Sequence, residues 1–204
     1  MSLPQTVESY TVDEYLALER RADERSEYLD GQVFLMAGES PEHGVICTNI
    51  SGQLYAQLRG GPCQVFSKDM KVRSGPAPKP RSRTKGLYSY PDLLVVCGEP
   101  KFHDKHRDVL LNPVVIVEVL SPATEAFDRG EKWARYQTWL AELTDYLLVA
   151  QATPRVEHFQ RATANGWHYA MFERLTDSVA LASINCTLRL ADVYDRVVMP
   201  PVEE

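Results

Sequence analysis

Pro113-Val114-Val115-Ile116-Val117-Glu118-Val119-Leu120-Ser121-Pro122 is the stretch on which the fold of this chain turns. Prolines bracket it, β-branched residues fill it, and apart from one carboxylate it is almost continuously apolar, which is how a strand buried on both faces reads. An ionised Glu118 is expensive there unless a cation, a metal or a strand end open to water relieves it. Two neighbouring segments offer partners. Upstream, Tyr90-Pro91-Asp92-Leu93-Leu94-Val95-Val96 is a second apolar strand, opened by Asp92. Downstream, Asp128-Arg129-Gly130-Glu131-Lys132 pairs an acid with Glu131 three residues on, the mark of a helix start. Lys132 then falls in the first turn, with Trp133, Tyr136 and Leu140 as the packing stripe. Asp92 and Glu118 at matching levels of neighbouring strands make a hard, oxygen-rich pocket of the kind Mg2+ or Mn2+ takes with waters retained. Hydrolysing a phosphodiester requires such a cation, because the substrate's own charge repels hydroxide. Lys132 adds a second positive charge.

Working outward, Thr11-Val12-Asp13-Glu14 is a capping box, and a short helix is expected to run to about Arg21. Asp30-Gly31, between Ser26–Leu29 and Gln32–Met36, suits the positive φ angles of a tight hairpin and puts Glu27 on or beside a strand. Ser40-Pro41 opens a second helix, whose Ile46, Ile50, Leu54 and Leu58 recur every fourth residue up to Gly60-Gly61. Strands are expected at Val65-Phe66 and Met70–Val72, then an exposed loop from Ser74 to Leu87. A buried strand follows at Asp145–Val149. Arg155–Arg161 and Trp167–Phe172 form a hairpin, Val179–Leu190 one more strand or pair, and a short helix precedes Pro200-Pro201.

The chain has 204 residues, 44% of them hydrophobic, which fits one globular domain over residues 1–204. No apolar run of about 18 residues occurs, and residues 1–8 lack a basic segment followed by an apolar one, so a cytoplasmic protein is expected. Cys47, Cys63, Cys97 and Cys186 have no zinc-like spacing and are expected to be reduced, mostly buried thiols. The formal charge of -6 argues against general coating of polyanions. Locally, Lys68, Lys71, Arg73, Lys79, Arg81, Arg83 and Lys85 face a single acid, Asp69, and form either a solvated loop or a phosphate-contacting rim.

The ordered set Pro91-Asp92, Glu118-Val119-Leu120 and Lys132 resembles the PD-(D/E)XK nuclease superfamily, and more closely its restriction endonuclease-like branch. In that branch a Pro-Asp strand, a Val-Glu-Val-Leu-Ser-Pro strand and an Asp-Arg-Gly-Glu-Lys helix follow in this order. The likeness extends to residues 27–31, 38–44, 69–73 and 121–136. It implies an α/β (mixed α+β) fold, with a mixed central sheet flanked by helices and additional hairpin strands. It also implies Asp92 and Glu118 as ligands of Mg2+ (or Mn2+), Lys132 as the catalytic lysine and Glu27 as an auxiliary acid. The expected function is a Mg2+-dependent endonuclease acting on DNA, with His43, Lys79, Arg81, Arg83 and Lys85 as candidate substrate contacts. A homodimer is expected, since cutting both strands needs two sites or one that rebinds, and two-fold symmetry is the commonest arrangement. One departure stands out: Leu120 occupies the place of the superfamily's usual lysine, so that role falls to Lys132.

Other chemistries fit less well. Gly38-Glu39-Ser40-Pro41-Glu42 lacks the second glycine of a nucleophile elbow, and no phosphate-binding glycine loop occurs. Paired carboxylates also serve glycosidases, but Trp133, Trp139 and Trp167 read as packing residues rather than a sugar platform. From a different class, the alternative is a catalytically silent nucleic-acid-binding or protein-interaction module that keeps Glu118 and Lys132 as a buried ion pair.

Overall fold

Thr11 starts the first helix as its sequence requires: its hydroxyl accepts from Glu14 N–H, and the Glu14 carboxylate accepts from Thr11 N–H at 2.8 Å. The computed structural model describes residues 9–36, 38–78, 85–163 and 166–199. Helix α1 (Val12–Glu19) leads into the hairpin β1 (Ser26–Leu29) and β2 (Gln32–Leu35). Its turn holds Asp30 at φ 50° and Gly31 at φ 99°. Helix α2 (Pro41–Leu58), capped by Ser40, buries Ile46, Ile50, Leu54 and Leu58. Then come β3 (Cys63–Ser67), β4 (Lys71–Ser74), β5 (Leu87–Ser89), β6 (Leu93–Cys97), β7 (Val109–Leu110) and β8 (Val115–Leu120). Helix α3 (Glu125–Phe127), a π-helical turn (Asp128–Lys132) and α4 (Trp133–Trp139) follow without a break. The chain continues through β9 (Asp145–Ala150), β10 (Val156–Arg161), β11 (Trp167–Phe172), β12 (Ser178–Leu181), β13 (Cys186–Arg189) and α5 (Leu190–Val193).

These strands form a five-stranded sheet ordered β2-β1-β5-β4-β7, a six-stranded sheet ordered β11-β10-β9-β8-β6-β3, and the pair β12-β13. Both larger sheets are mixed, with β8–β9 and β4–β7 parallel and the other pairs antiparallel. All of β8 is buried, as its sequence indicates, and its alternation sorts the core into two layers. Val115, Val117 and Val119 pack with Ile46, Ile50 and Leu54 of α2. Ile116 and Leu120 pack with Tyr136, Leu140 and Tyr146. Glu118, in step with the second set, therefore faces α4.

Four expectations are corrected. The third helical segment begins at Glu125, not at Asp128: Ser121 accepts the Thr124 N–H and supplies the turn, so Asp128 lies inside it and is buried. Leu87 opens β5, a strand too short for periodicity to reveal. Cys63 and Cys97 stand opposite each other across β3 and β6 and form a disulfide, leaving Cys47 and Cys186 as free thiols. Trp139 is half exposed, while Trp133 stacks on Tyr146 at 5.1 Å as expected of a packing residue. No helix among the described residues is long and apolar enough to cross a membrane.

The β1–β2 turn is tied to the rest by Asp30, which accepts from Gly86 N–H at 2.7 Å and from Arg135 at 2.8 Å. A Cβ at Gly31 would sit 2.5 Å from Ser9 Oγ at a φ that L side chains avoid. Gly31→Ala is therefore expected to cost about 1–3 kcal/mol in urea unfolding.

Candidate active site

The antiparallel register of β6 and β8 pairs Leu93 with Val117, and one step outward it sets Asp92 opposite Glu118. Asp92 Oδ2 accepts the Val119 N–H at 2.7 Å, which fixes it against the strand that carries Glu118. Its Oδ1 lies 2.8 Å from His43 Nε2. His43 is delivered by the start of α2, where Ser40 Oγ accepts the His43 N–H at 3.1 Å. Burial works against an imidazolium, but the hydrogen bond and charge of Asp92 outweigh it and raise the His43 pKa above its ordinary value.

Lys132 comes to the same place from the π-helical turn. Its Nζ lies 3.0 Å from Asp128 Oδ1, 3.3 Å from Glu118 Oε1 and 3.4 Å from Glu27 Oε1. The wider turn carries both Asp128 and Lys132 inward, a geometry often met at functional sites. Glu27 arrives on β1, and its carboxylate also accepts the Tyr90 N–H at 2.9 Å. Tyr136 donates to Glu118 at 3.2 Å and is itself bonded to Ser89 at 2.7 Å.

Electrostatics sets the character of this cluster. Burial opposes the Lys132 ammonium, yet Glu118, Glu27, Tyr136 and Asp128 hold its pKa well above the usual value, so it stays charged. Burial lifts the Glu118 carboxyl well above the usual carboxylate range, and Asp128, Asp92 and Glu27 add to the lift against Lys132. Three carboxyl groups thus gather around one firm positive charge, with Asp92 near by beside β8. A divalent cation fits this imbalance: it would supply the missing charge, and the donors offered at Asp92 and Glu118 are all oxygen. Asp92 also lines an open groove of ≈ 770 Å³ along α2, where Gly44, Cys47, Thr48, Tyr55 and Lys68 meet it. On that side Glu39, His43 and Cys47 bring their ligating atoms within 4.8 Å of one another.

Asp92, Glu118, Lys132 and Glu27 are therefore brought together, with His43 attached through Asp92. Lys85 is exposed and lies beside Asp30 at the β1–β2 turn, while Lys79, Arg81 and Arg83 lie outside the described residues. Lys71 is no part of a cationic rim. It is buried and paired with Glu19 at 2.6 Å and Asp108 at 3.3 Å. Lys68 pairs with Glu39, and Arg73 with His103 Nδ1. Sequence reasoning missed Asp128 and the Ser89–Tyr136 relay. The spacing of four from Asp128 to Lys132 is a signal that could have found the first; none marked the second.

Removing Lys132 leaves buried carboxylates without their cation. Lys132→Met is expected to cost about 3–5 kcal/mol at neutral pH. Without the ammonium the Glu118 pKa rises further, and a carboxyl raised in the folded state adds stability as pH falls toward the ordinary carboxylate range. Urea unfolding at neutral and mildly acidic pH should show the deficit shrinking on the acid side.

Comparison with known proteins places this geometry. A protein of Synechocystis sp., the uncharacterized protein sll1609, is 33% identical over 167 residues, covering 82% of this chain and 89% of that one. A second from the same organism, slr1290, is 32% identical over 182 residues, covering 89% and 90%. The crystal structure of "a putative nuclease belonging to DUF820" from Anabaena variabilis superposes with a TM-score of 0.73 at 15% identity, over 93% of this chain and 99% of that one. The fold is thus restriction endonuclease-like, as the ordered motifs led one to expect. Residues 12–191 match the family model described as "Putative restriction endonuclease", and the chain belongs to that family, Uma2.

Proposed function

We propose that this protein is a Mg2+- or Mn2+-dependent endonuclease that hydrolyses DNA phosphodiester bonds. The observation that carries the reading is Asp92 bonded to the Val119 N–H, next to Glu118 on β8, with the Lys132 ammonium 3.3 Å from Glu118. Asp92 and Glu118 would hold the cation, which when bound neutralises phosphate oxygens and acidifies its water. Lys132 is kept protonated by its surroundings, so it acts as a positive charge and hydrogen-bond donor toward the developing phosphorane rather than as a base. Glu27 and Asp128 orient that ammonium. Tyr136 and Ser89 hold the Glu118 carboxylate in place. Asp92, at the edge of the α2 groove, is the side from which a strand would approach.

A second reading has its own support. Both Asp92 oxygens already have hydrogen-bond partners, and Lys132 is only 5% exposed among its three carboxylates. A closed network of this kind suits a catalytically silent module that binds nucleic acid or protein. Isosteric substitution separates the two. Asp92→Asn and Glu118→Gln are each expected to abolish Mn2+ binding in calorimetry and to lower cleavage of duplex DNA about 100-fold or more. Unchanged Mn2+ binding in both variants sinks the metal assignment, and wild-type protein that binds Mn2+ without cutting favours the silent module.

On this acidic protein the substrate's charge must be met locally, and Lys79, Arg81, Arg83 and Lys85 form the densest cationic run. Replacing all four by Gln is expected to weaken binding to all sequences alike and to flatten the salt dependence by roughly 0.9 unit for each true phosphate contact. An unchanged slope makes the segment a solvated linker. The reading includes a homodimer, and a monomeric mass by light scattering at micromolar concentration counts against it.

A further inference from the structure

We propose that Glu39, His43 and Cys47 form a second metal site, for a thiophilic divalent ion of the zinc type, separate from the carboxylate pair Asp92 and Glu118. The proposal stands on geometry and donor chemistry and does not depend on nuclease activity. His43 and Cys47 are one helical turn apart on α2 and share a face, and Glu39 lies immediately before the Ser40 cap, so the three ligating atoms fall within 4.8 Å of one another. Tetrahedral zinc bonds of about 2.0–2.3 Å place ligand atoms roughly 3.3–3.8 Å apart, so the side chains must close by about 1 Å. Glu39 is free to do this: it is exposed, and its ion pair is with Lys68, whose ammonium the metal would replace.

The orientation of His43 is the second observation. Asp92, an acceptor when ionised, holds Nε2 at 2.8 Å, so Nε2 is engaged as a donor and Nδ1 is the nitrogen left for a metal, which must displace any proton it carries. Among the described residues no hydrogen bond is made to that Nδ1. A metal-binding histidine whose other nitrogen donates to a carboxylate is the usual arrangement, in which the carboxylate fixes the tautomer and strengthens the ligand. The donors are one carboxylate, one imidazole and one thiol. That set suits zinc and rejects magnesium, which takes oxygen alone. On binding, the Cys47 thiol gives its proton to solvent and its sulfur lone pair to the metal. Glu39 and Cys47 both line the open groove, so water would have access to complete the coordination of a bound ion. Asp92 then links the two sites: it steadies a zinc ligand through one oxygen while it stands opposite Glu118.

The test is a Co2+ titration of the full chain with its Cys63–Cys97 disulfide intact, followed by Zn2+ displacement. One equivalent of Co2+ is expected to give tetrahedral d–d bands and a near-ultraviolet thiolate-to-cobalt charge-transfer band, displaced by Zn2+ and untouched by excess Mg2+. Cys47→Ser should remove the charge-transfer band, and Glu39→Gln, at an exposed position, should weaken Zn2+ binding about 10- to 100-fold. Circular dichroism confirms that both variants fold. Unchanged Zn2+ affinity in both variants overturns the proposal. So does Zn2+ binding that survives Cys47→Ser but is lost in Glu118→Gln, since the ion would then sit on the carboxylate pair.

Discussion

One buried ammonium organises this protein. Lys132 reaches Glu27 on β1, Glu118 on β8 and Asp128 in its own turn, and so joins the five-stranded sheet, the six-stranded sheet and the helix that follows. Ion pairs sealed from water rarely add net stability, because desolvating the charges costs as much as their attraction returns. What the pair contributes is position. Around it, Ser89 on β5 meets Tyr136 on α4, and Arg135 on the same helix meets Asp30 at the hairpin turn. The two sheets are held edge to helix at the place where the carboxyl groups converge.

Charge accounts for why that place is chemically unusual. Burial first, and neighbouring acids second, raise the Glu118 pKa, while Glu118, Glu27 and Asp128 overcome burial and raise that of Lys132. The ammonium is made firmer by its acids, and Glu118 is made a weaker acid by its burial and by the acids near it. A bound cation would relieve the excess of acid, and the proposed function calls for one. Elsewhere the same chain balances its buried charges closely. Lys71 sits between Glu19 and Asp108, and Arg20 spans Asp104 and Asp108, which holds the Asp108 carboxyl well below the usual range. The excess of acid at Asp92 and Glu118 is a local property of the site.

Much of this was legible in the amino-acid order. The capping box at Thr11, the Asp30-Gly31 turn, the four-residue stripe of α2 and the unbroken apolar run of β8 depend on contacts between near neighbours, so their residues carry the signal themselves. The isolated carboxylate in β8 also announced a site, because an acid in such a run needs a partner. Lys132 and Asp92 were identifiable as partners through ordered motifs. The Asp128 reading failed because an acid followed by Glu131 looks like a helix start, whereas Ser121 had already begun the turn and the π-helical widening pointed Asp128 inward.

Sequence by itself thus determined the longer elements, the buried strand and the identity of the principal charged groups. Beyond the motif residues, only tertiary structure decided which groups meet. The disulfide exists because β3 and β6 pair in a register that sets Cys63 against Cys97, across a separation of 34 residues. Lys71 was withdrawn from the cationic run because Glu19 and Asp108 approach it from distant parts of the chain. His43 faces Asp92 because α2 lies across the β6–β8 pair. Local pattern records what a residue's neighbours in sequence require; the partners of a buried charge are set by packing between elements, where sequence separation carries no information.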